Sequence, residues 1–307
     1  MNPSTARSIL VVGSVALDSL ETPSGHREAC LGGSASYFGV GASRFAPVQV
    51  VAVVGDDFPE AYLAMFRSHG INLEGLEVVT GGRTFRWRGR YGKTLGDAQT
   101  LETQLNVFEQ FDPKVLPHQR RAPILFLGNI DPELQLRVLD QMESPHLVAL
   151  DTMNFWITGK REALIRVLSR VDLLVLNETE ARLLSEERNI YRAADVVRAM
   201  GPKTLVIKRG EYGSILFHED GVFVAPAVPL RAVIDPTGAG DTFAAGLIGQ
   251  LAQQEAPDFV AMKRAVLTGT VLASFTCEGF SLDRLCSVTN EELVARTASL
   301  AQSLRVD

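Results

Sequence analysis

The segment Asp235-Pro-Thr-Gly-Ala-Gly-Asp-Thr-Phe243 puts two glycines and a carboxylate at the mouth of a strongly apolar stretch with helical spacing, Gly240 to Leu251. The first N–H groups of a helix have no partner within it, and its dipole favours negative charge there. A turn in which Gly238 and Gly240 let the backbone amides face outward is therefore a hole for an anion. Asp241, in the first turn, would stand beside that hole. A carboxylate so placed can take the proton of an attacking hydroxyl while the amides hold a phosphoryl group in transfer. An isolated Asp at this position would be read more simply, as a first-turn acid that stabilises the helix start by roughly 0.3–1 kcal/mol.

Such a turn needs a frame. Runs rich in Val, Ile and Leu recur at Ile9–Val12, Val48–Val54, Ile124–Leu127, Leu147–Leu150, Leu173–Leu176 and Leu205–Ile207, each of strand length. Between most of them lie stretches with helical spacing: Phe58–His69, Glu133–Met142 and Lys160–Leu168. This alternation predicts an α/β fold of three layers, α/β/α, around a mainly parallel central sheet with right-handed crossovers. Gly240–Leu251, Phe259 to about Ser274 and Glu291 to about Ser303 predict helices that complete one layer. In an open parallel sheet the ligand crevice forms outside the carboxyl ends of the strands. Asp151, Asn154 and Trp156, then Asn177-x-x-Glu180, then Lys208-Arg-Gly-Glu-Tyr-Gly213 follow successive strands and fall at that edge.

One segment has a different period. From Thr84 to Tyr91 the residues alternate, Phe85, Trp87 and Tyr91 against Arg86, Arg88 and Arg90, and a second run, Leu101, Thr103, Leu105 and Val107, follows a turn-rich Gly92–Asp97. Together they predict a β-hairpin with one apolar face that substrate, the main domain or a second subunit must cover.

The composition excludes several classes. Apolar residues are 46% and charged residues 21% of the chain, the balance of a folded domain with a substantial core. A net charge of −6, spread along the chain, offers no basic stripe for nucleic acid or an anionic membrane. The first apolar stretch, residues 9–17, is too short to span a bilayer and lacks a secretory leader's charged start and cleavage site, so a cytoplasmic location is expected. Cys30, Cys277 and Cys286 are too widely spaced for a disulfide framework or a Cys-x-x-Cys zinc site, and the five histidines stand apart. No repeat or charged linker marks a second domain.

The string Asp235, Thr237, Gly238, Ala239, Gly240, Asp241 and Thr242 closely resembles the C-terminal signature of the ribokinase-like, or PfkB, carbohydrate kinases. Gly32-Gly-Ser-Ala-Ser-Tyr37 is similar to the family's N-terminal glycine pair, and Val53-Val-Gly-Asp-Asp57 to the strand end that follows it. Asp151, Asn177-x-x-Glu180 and Lys208 to Gly213 come in the family's order. The resemblance spans essentially the whole chain. It implies one ribokinase-like kinase domain over 1–307, with a lid formed by about 14–33 and 82–109. It implies an ATP-dependent phosphotransferase with an alcohol acceptor. Asp241 would be the general base, with Gly238, Ala239 and Gly240 as the anion hole. Asp18, in the loop after the first strand, would hold sugar hydroxyls beside Gly32 and Gly33. Asn177, Glu180, Lys208, Gly210, Gly213 and Thr237 would bind the nucleotide, with Glu180 helping to hold Mg²⁺. Asp235 and Thr237 match positions that bind a monovalent cation, potassium, in several relatives, with carbonyls of about 275–281.

Plainer readings stand beside some of these roles. Asn177 reads equally as a helix cap with Glu180 exposed, and Asp18 and Asp235 as turn-stabilising acids. The acceptor is a small molecule, a sugar or a ribonucleoside, and a sugar is expected. Phe85, Trp87, Tyr37 and Phe38 could form a stacking wall for a base, although aromatic alternation in a hairpin is more often packing. The hairpin is expected to close over the acceptor and to pair two subunits as a homodimer. Gly92-Lys93-Thr94 fails as a P-loop because Trp87 stands where that motif needs glycine, and Gly238-x-Gly240 fails as a dinucleotide fingerprint at Phe243. A non-catalytic sensor on the same scaffold is the other class, and the intact Asp241 and glycines argue against it.

Overall fold

In the computed structural model, which describes residues 6–96 and 98–305, the strands in chain order are β1 (Ile9–Val12), β2 (Ala16–Thr22), β3 (Gly25–Gly32), β4 (Val48–Gly55), β5 (Asn72–Val79), β6 (Phe85–Arg90), β7 (Gln99–Gln104), β8 (Ile124–Leu127), β9 (Leu147–Asp151), β10 (Leu173–Asn177), β11 (Thr204–Lys208), β12 (Ser214–His218) and β13 (Gly221–Ala225). The helices are α1 (Ser34–Ala42), α2 (Glu60–Ser68), α3 (Pro132–Gln141), α4 (Asn154–Gly159), α5 (Arg161–Leu168), α6 (Glu178–Ser185), α7 (Ile190–Ala199), α8 (Ala239–Ala252), α9 (Phe259–Thr276), α10 (Asp283–Ser287) and α11 (Asn290–Ser303).

Nine strands form one sheet in the order β13-β12-β11-β10-β9-β8-β1-β4-β5, parallel from β11 to β5 and antiparallel only at β12 and β13. The apolar runs read from the sequence are its central strands. Ile9 and Val11 point into a core built with α1, α8 and α9, whereas Leu10 and Val12 point into a second core with α3, α5, α6 and α7. These are the three layers expected. The register sets Asn177 beside Lys208, and Val175 beside Asp151, so the polar ends of β9, β10 and β11 lie side by side.

The remaining strands form a small sheet, β3-β2-β6-β7, in which only β2 and β6 are parallel. Two expectations are corrected here. Asp18 lies in the middle of β2 rather than in a loop, because a buried polar residue hides the alternation of Ala16, Asp18 and Leu20. The second run stops at Gln104 instead of continuing to Val107. Asn106 takes a positive φ of 50°, its amide donates to Thr84 O (2.9 Å), and the chain turns into a short 3₁₀ segment at 106–110. Among the described residues no helix is long and apolar enough to cross a membrane. The three cysteines are free thiols.

Candidate active site

The turn before α8 is fixed from inside. Asp235, almost fully buried, accepts the Thr237 N–H (2.9 Å) on one carboxylate oxygen and the Ser281 N–H (3.0 Å) on the other, while Ala239 N–H donates to Pro236 O (3.1 Å). Gly238 caps the helix with a φ of 74°, and a Cβ there would overlap the Tyr37 ring, so both the left-handed backbone and the close approach require glycine. Of the three amides expected in the anion hole, Ala239's is therefore spent on the turn. Those of Gly238 and Gly240 find no backbone or side-chain acceptor among the described residues.

Asp241 stands in the first turn of α8. Burial, and next the charge of Asp151, push its carboxyl up to about 7, against the pull of Lys208. Lys208, the last residue of β11, is ion-paired with Asp151 (3.6 Å), and a Cβ on Gly240 would stand 2.8 Å from its Nζ. Burial works against its charge, but Asp151, Glu180 and Asp241 outweigh this and hold its pKa above the usual value. One ammonium thus sits among three acids at the helix mouth. Asp151, a landmark with no role assigned from its motif, completes this group. Its own carboxyl is raised by burial although Lys208 and the Thr152 N–H (2.9 Å) favour the charged form.

Asn177 caps α6 in a reciprocal box with Glu180: Glu180 N–H donates to Asn177 Oδ1 (2.8 Å) and Asn177 N–H to Glu180 Oε2 (2.7 Å). The cap anticipated from the sequence is present. Glu180 is nevertheless buried, within electrostatic reach of Lys208, and not the exposed acid of that plainer reading. Gly210 and Gly213 shape the turn between β11 and β12, where Gly213 N–H donates to Gly210 O (3.1 Å) and Arg209 N–H to Gly213 O (2.8 Å).

The small sheet brings the second carboxyl. Asp18 is buried, and burial, followed by the charges of Asp235 and Asp241, pushes it up to about 8. A Cβ on Gly32 would overlap its carboxylate, whereas Gly33, the N-cap of α1, lies against the Ser14 carbonyl and the Ala16 N–H. Across the strands Cys30, Asp18, Trp87 and Thr103 form one row, which sets Trp87 beside Asp18 on the same face. The four-residue aromatic wall is not assembled. Phe38 stacks on Phe126 in the core (4.0 Å), Tyr37 lies under Gly238, and Phe85 stacks on Phe108 (5.3 Å). Of the four, Trp87 alone shares a cross-strand row with Asp18, its indole lying over Gly89 and donating its N–H to Thr100 Oγ1 (3.2 Å). Sequence reasoning also missed Tyr91, whose hydroxyl meets Thr237 Oγ1 at 3.0 Å.

The site thus offers a carboxyl near neutral pKa beside outward amides and an ammonium, facing a second buried carboxyl. The sequence profile of the pfkB family carbohydrate kinases matches residues 31–284. The chain belongs to the PfkB family. It is a kinase, a phosphotransferase with a hydroxyl acceptor. A cytidine kinase of Thermococcus kodakarensis is 29% identical to this PfkB kinase over 251 residues, covering 78% of this chain and 87% of that enzyme. Among solved structures, a Burkholderia thailandensis nucleoside kinase in complex with inosine aligns with a TM-score of 0.79 at 19% identity, covering 95% and 98% of the two chains. A Thermotoga maritima ribokinase aligns with a TM-score of 0.75 at 22% identity, covering 95% and 99%.

The groups that PfkB kinases use can be tested against these residues. Among the described residues no cluster of three His, Cys, Asp or Glu side chains could hold a metal ion unaided. Around one ammonium, Asp151, Glu180 and Asp241 make the crevice rich in carboxyl oxygens, which suits a divalent ion arriving with a nucleotide. Near Asp235 and Asp18 the Tyr37 hydroxyl is buried without a hydrogen-bond partner, an oxygen-rich setting with room in its chemistry for a monovalent cation.

Proposed function

We propose that this kinase transfers the γ-phosphoryl group of ATP to a hydroxyl of a ribonucleoside, with Asp241 as general base. The observation that carries the reading is the Asp241 carboxyl beside the Gly238 and Gly240 amides and Lys208, with Asp18 across the crevice. Asp18 binds acceptor hydroxyls, next to Gly32 and Gly33. Asp241 takes the proton of the attacking hydroxyl as its oxygen bonds to the γ-phosphorus and the bond to ADP breaks. The amides and Lys208 hold the charge of the phosphoryl group in transfer. A base of pKa near 7 matches neutral operation, because it is largely ionised yet still basic. Glu180 and Asn177 would help to hold Mg²⁺, which would supply neutralisation of phosphate charge. Asp235 and Thr237 would hold potassium.

The small sheet acts as the lid, over about 14–33 and 82–109. Free edges at β3 and β7, with Leu101 and Leu105 exposed, support a homodimer through the two lids. The enzyme is read as cytoplasmic. Trp87 beside Asp18 favours the nucleoside, since one ligand with a ribose and a base would use both. The cytidine kinase and the inosine-bound relative point the same way. The sugar expected from the sequence is the second reading, favoured by the loss of the other three aromatics from the wall. ADP release measured over cytidine, inosine, adenosine, ribose and fructose decides. A lower KM for ribonucleosides supports the proposal, a lower KM for ribose or fructose selects the sugar, and no acceptor-dependent ADP with any alcohol overturns the mechanism.

A further inference from the structure

The small sheet and the body meet at several places, and most of them lie away from the phosphoryl site. At the root, Asp57 accepts from Thr84 N–H and Oγ1 (both 2.7 Å) and from Arg86 (2.8 Å). At the β2–β3 hairpin, Ser24 reaches Val233 O and Ser281 bonds Leu31 O. Among the described residues, the bond between Tyr91 and Thr237 is the one side-chain hydrogen bond from the small sheet to the turn 236–240. Tyr91 follows β6 directly. Its N–H donates to Glu21 O (2.8 Å), which ties it to β2, the strand that carries Asp18. Burial raises the Tyr91 phenol above its ordinary pKa, so it remains a neutral hydroxyl at physiological pH. Thr237, in turn, is the residue before Gly238, and its own N–H is anchored on Asp235.

We propose that Tyr91 is a positioning residue that reports the seating of the small sheet to the anion hole. Its hydroxyl holds Thr237, and through it the Gly238–Gly240 amides, in the geometry that receives the phosphoryl group. The Asp18 side and the amide side are then set by one strand pair, so ordering β2 against an acceptor also orders the turn. Phosphoryl transfer to water is disfavoured while the lid is unseated, because the amides are then less well held. This inference rests on the function proposed above and goes beyond it in assigning a role to a lid residue.

Tyr91→Phe keeps the ring and removes only the hydroxyl. With the acceptor that gives the wild type its lowest KM, kcat should fall about three- to tenfold, the scale of one neutral hydrogen bond, while acceptor KM and Tm stay close to wild type. Acceptor-independent ADP release should fall with kcat rather than rise, because transfer to water relies on the same amides. Thr237→Val should lower kcat at least as far, and the double variant should be no worse than the poorer single variant. A wild-type kcat in Tyr91→Phe, or additive losses in the double variant, would overturn the proposal. Asp241→Asn in the same assay separates the two ideas. If it is inactive while Tyr91→Phe is normal, the function stands and the positioning role falls. If Asp241→Asn is fully active, the assignment of Asp241 as general base falls.

Discussion

Strands β1 and β8 of the large sheet are buried at every residue, whereas five of the six residues of β7 in the small sheet are exposed. The large sheet holds Asp151 and Lys208 at strand ends and supports Asp241 through α8, so these groups are desolvated by a packed frame that needs no movement. The small sheet is held by surface ion pairs, Arg88 and Arg90 with Glu21 (2.8 and 2.7 Å) and Arg86 with Asp57 (2.8 Å), of a kind that contributes little each. Its polar chemistry is confined to the root, where Asp18 is covered by Gly32 and the body. On the function proposed above this is a division of labour, with transfer of the phosphoryl group assigned to the buried part and selection of the acceptor to the small sheet.

The sharpest way to break this division is Asp241→Asn. On the rigid side a lost base should lower kcat by at least about 10²-fold while the fold and nucleotide affinity persist, measured by steady-state kinetics and nucleotide titration. The wild-type kcat/KM should rise with pH through the value of about 7 set by burial and Asp151, and this rise should vanish in the variant. Retention of the pH profile would move the titrating group elsewhere.

Trp87→Ala tests the other side. Loss of a stacking surface in the small sheet should raise the KM for a ribonucleoside by roughly 5- to 100-fold, leaving kcat and the KM for a free sugar little changed. Equal losses for both acceptors would return Trp87 to a packing role over Gly89, against which its indole already lies.

The same contrast explains what the sequence could disclose. Ile9–Val12, Ile124–Leu127 and Leu205–Ile207 read as strands because burial on both faces leaves nothing but apolar residues there. The turn from Asp235 to Asp241 read as a site because its chemistry is local. Asp18 was misplaced in a loop because β2 buries a carboxyl where a sequence suggests solvent, and β5 and β13 carry too many exposed residues to stand out. The bond between Tyr91 and Thr237 joins residues 146 apart, and no local spacing encodes it. The partition of aromatic residues was equally hidden. Tyr37 and Phe38 are adjacent in sequence, yet one lies under Gly238 and the other on Phe126, because successive helix positions face different neighbours.

The smallest expected effect concerns stability and compares the two carboxyls. Asp18, pushed up to about 8, binds its proton more tightly in the folded chain than in the unfolded one, where the ordinary value is 3.8. Folding is therefore favoured by this group below the unfolded value, and that contribution is lost as pH rises from there through about 8. Asp18→Asn removes the ionisation and keeps the shape. Relative to wild type its Tm should be unchanged near pH 4 and higher near pH 8. Melting curves at both pH values in the absence of nucleotide and acceptor measure it. A Tm difference independent of pH would mean that Asp18 keeps its ordinary carboxylate range, and that the root of the small sheet is as wet as its rim.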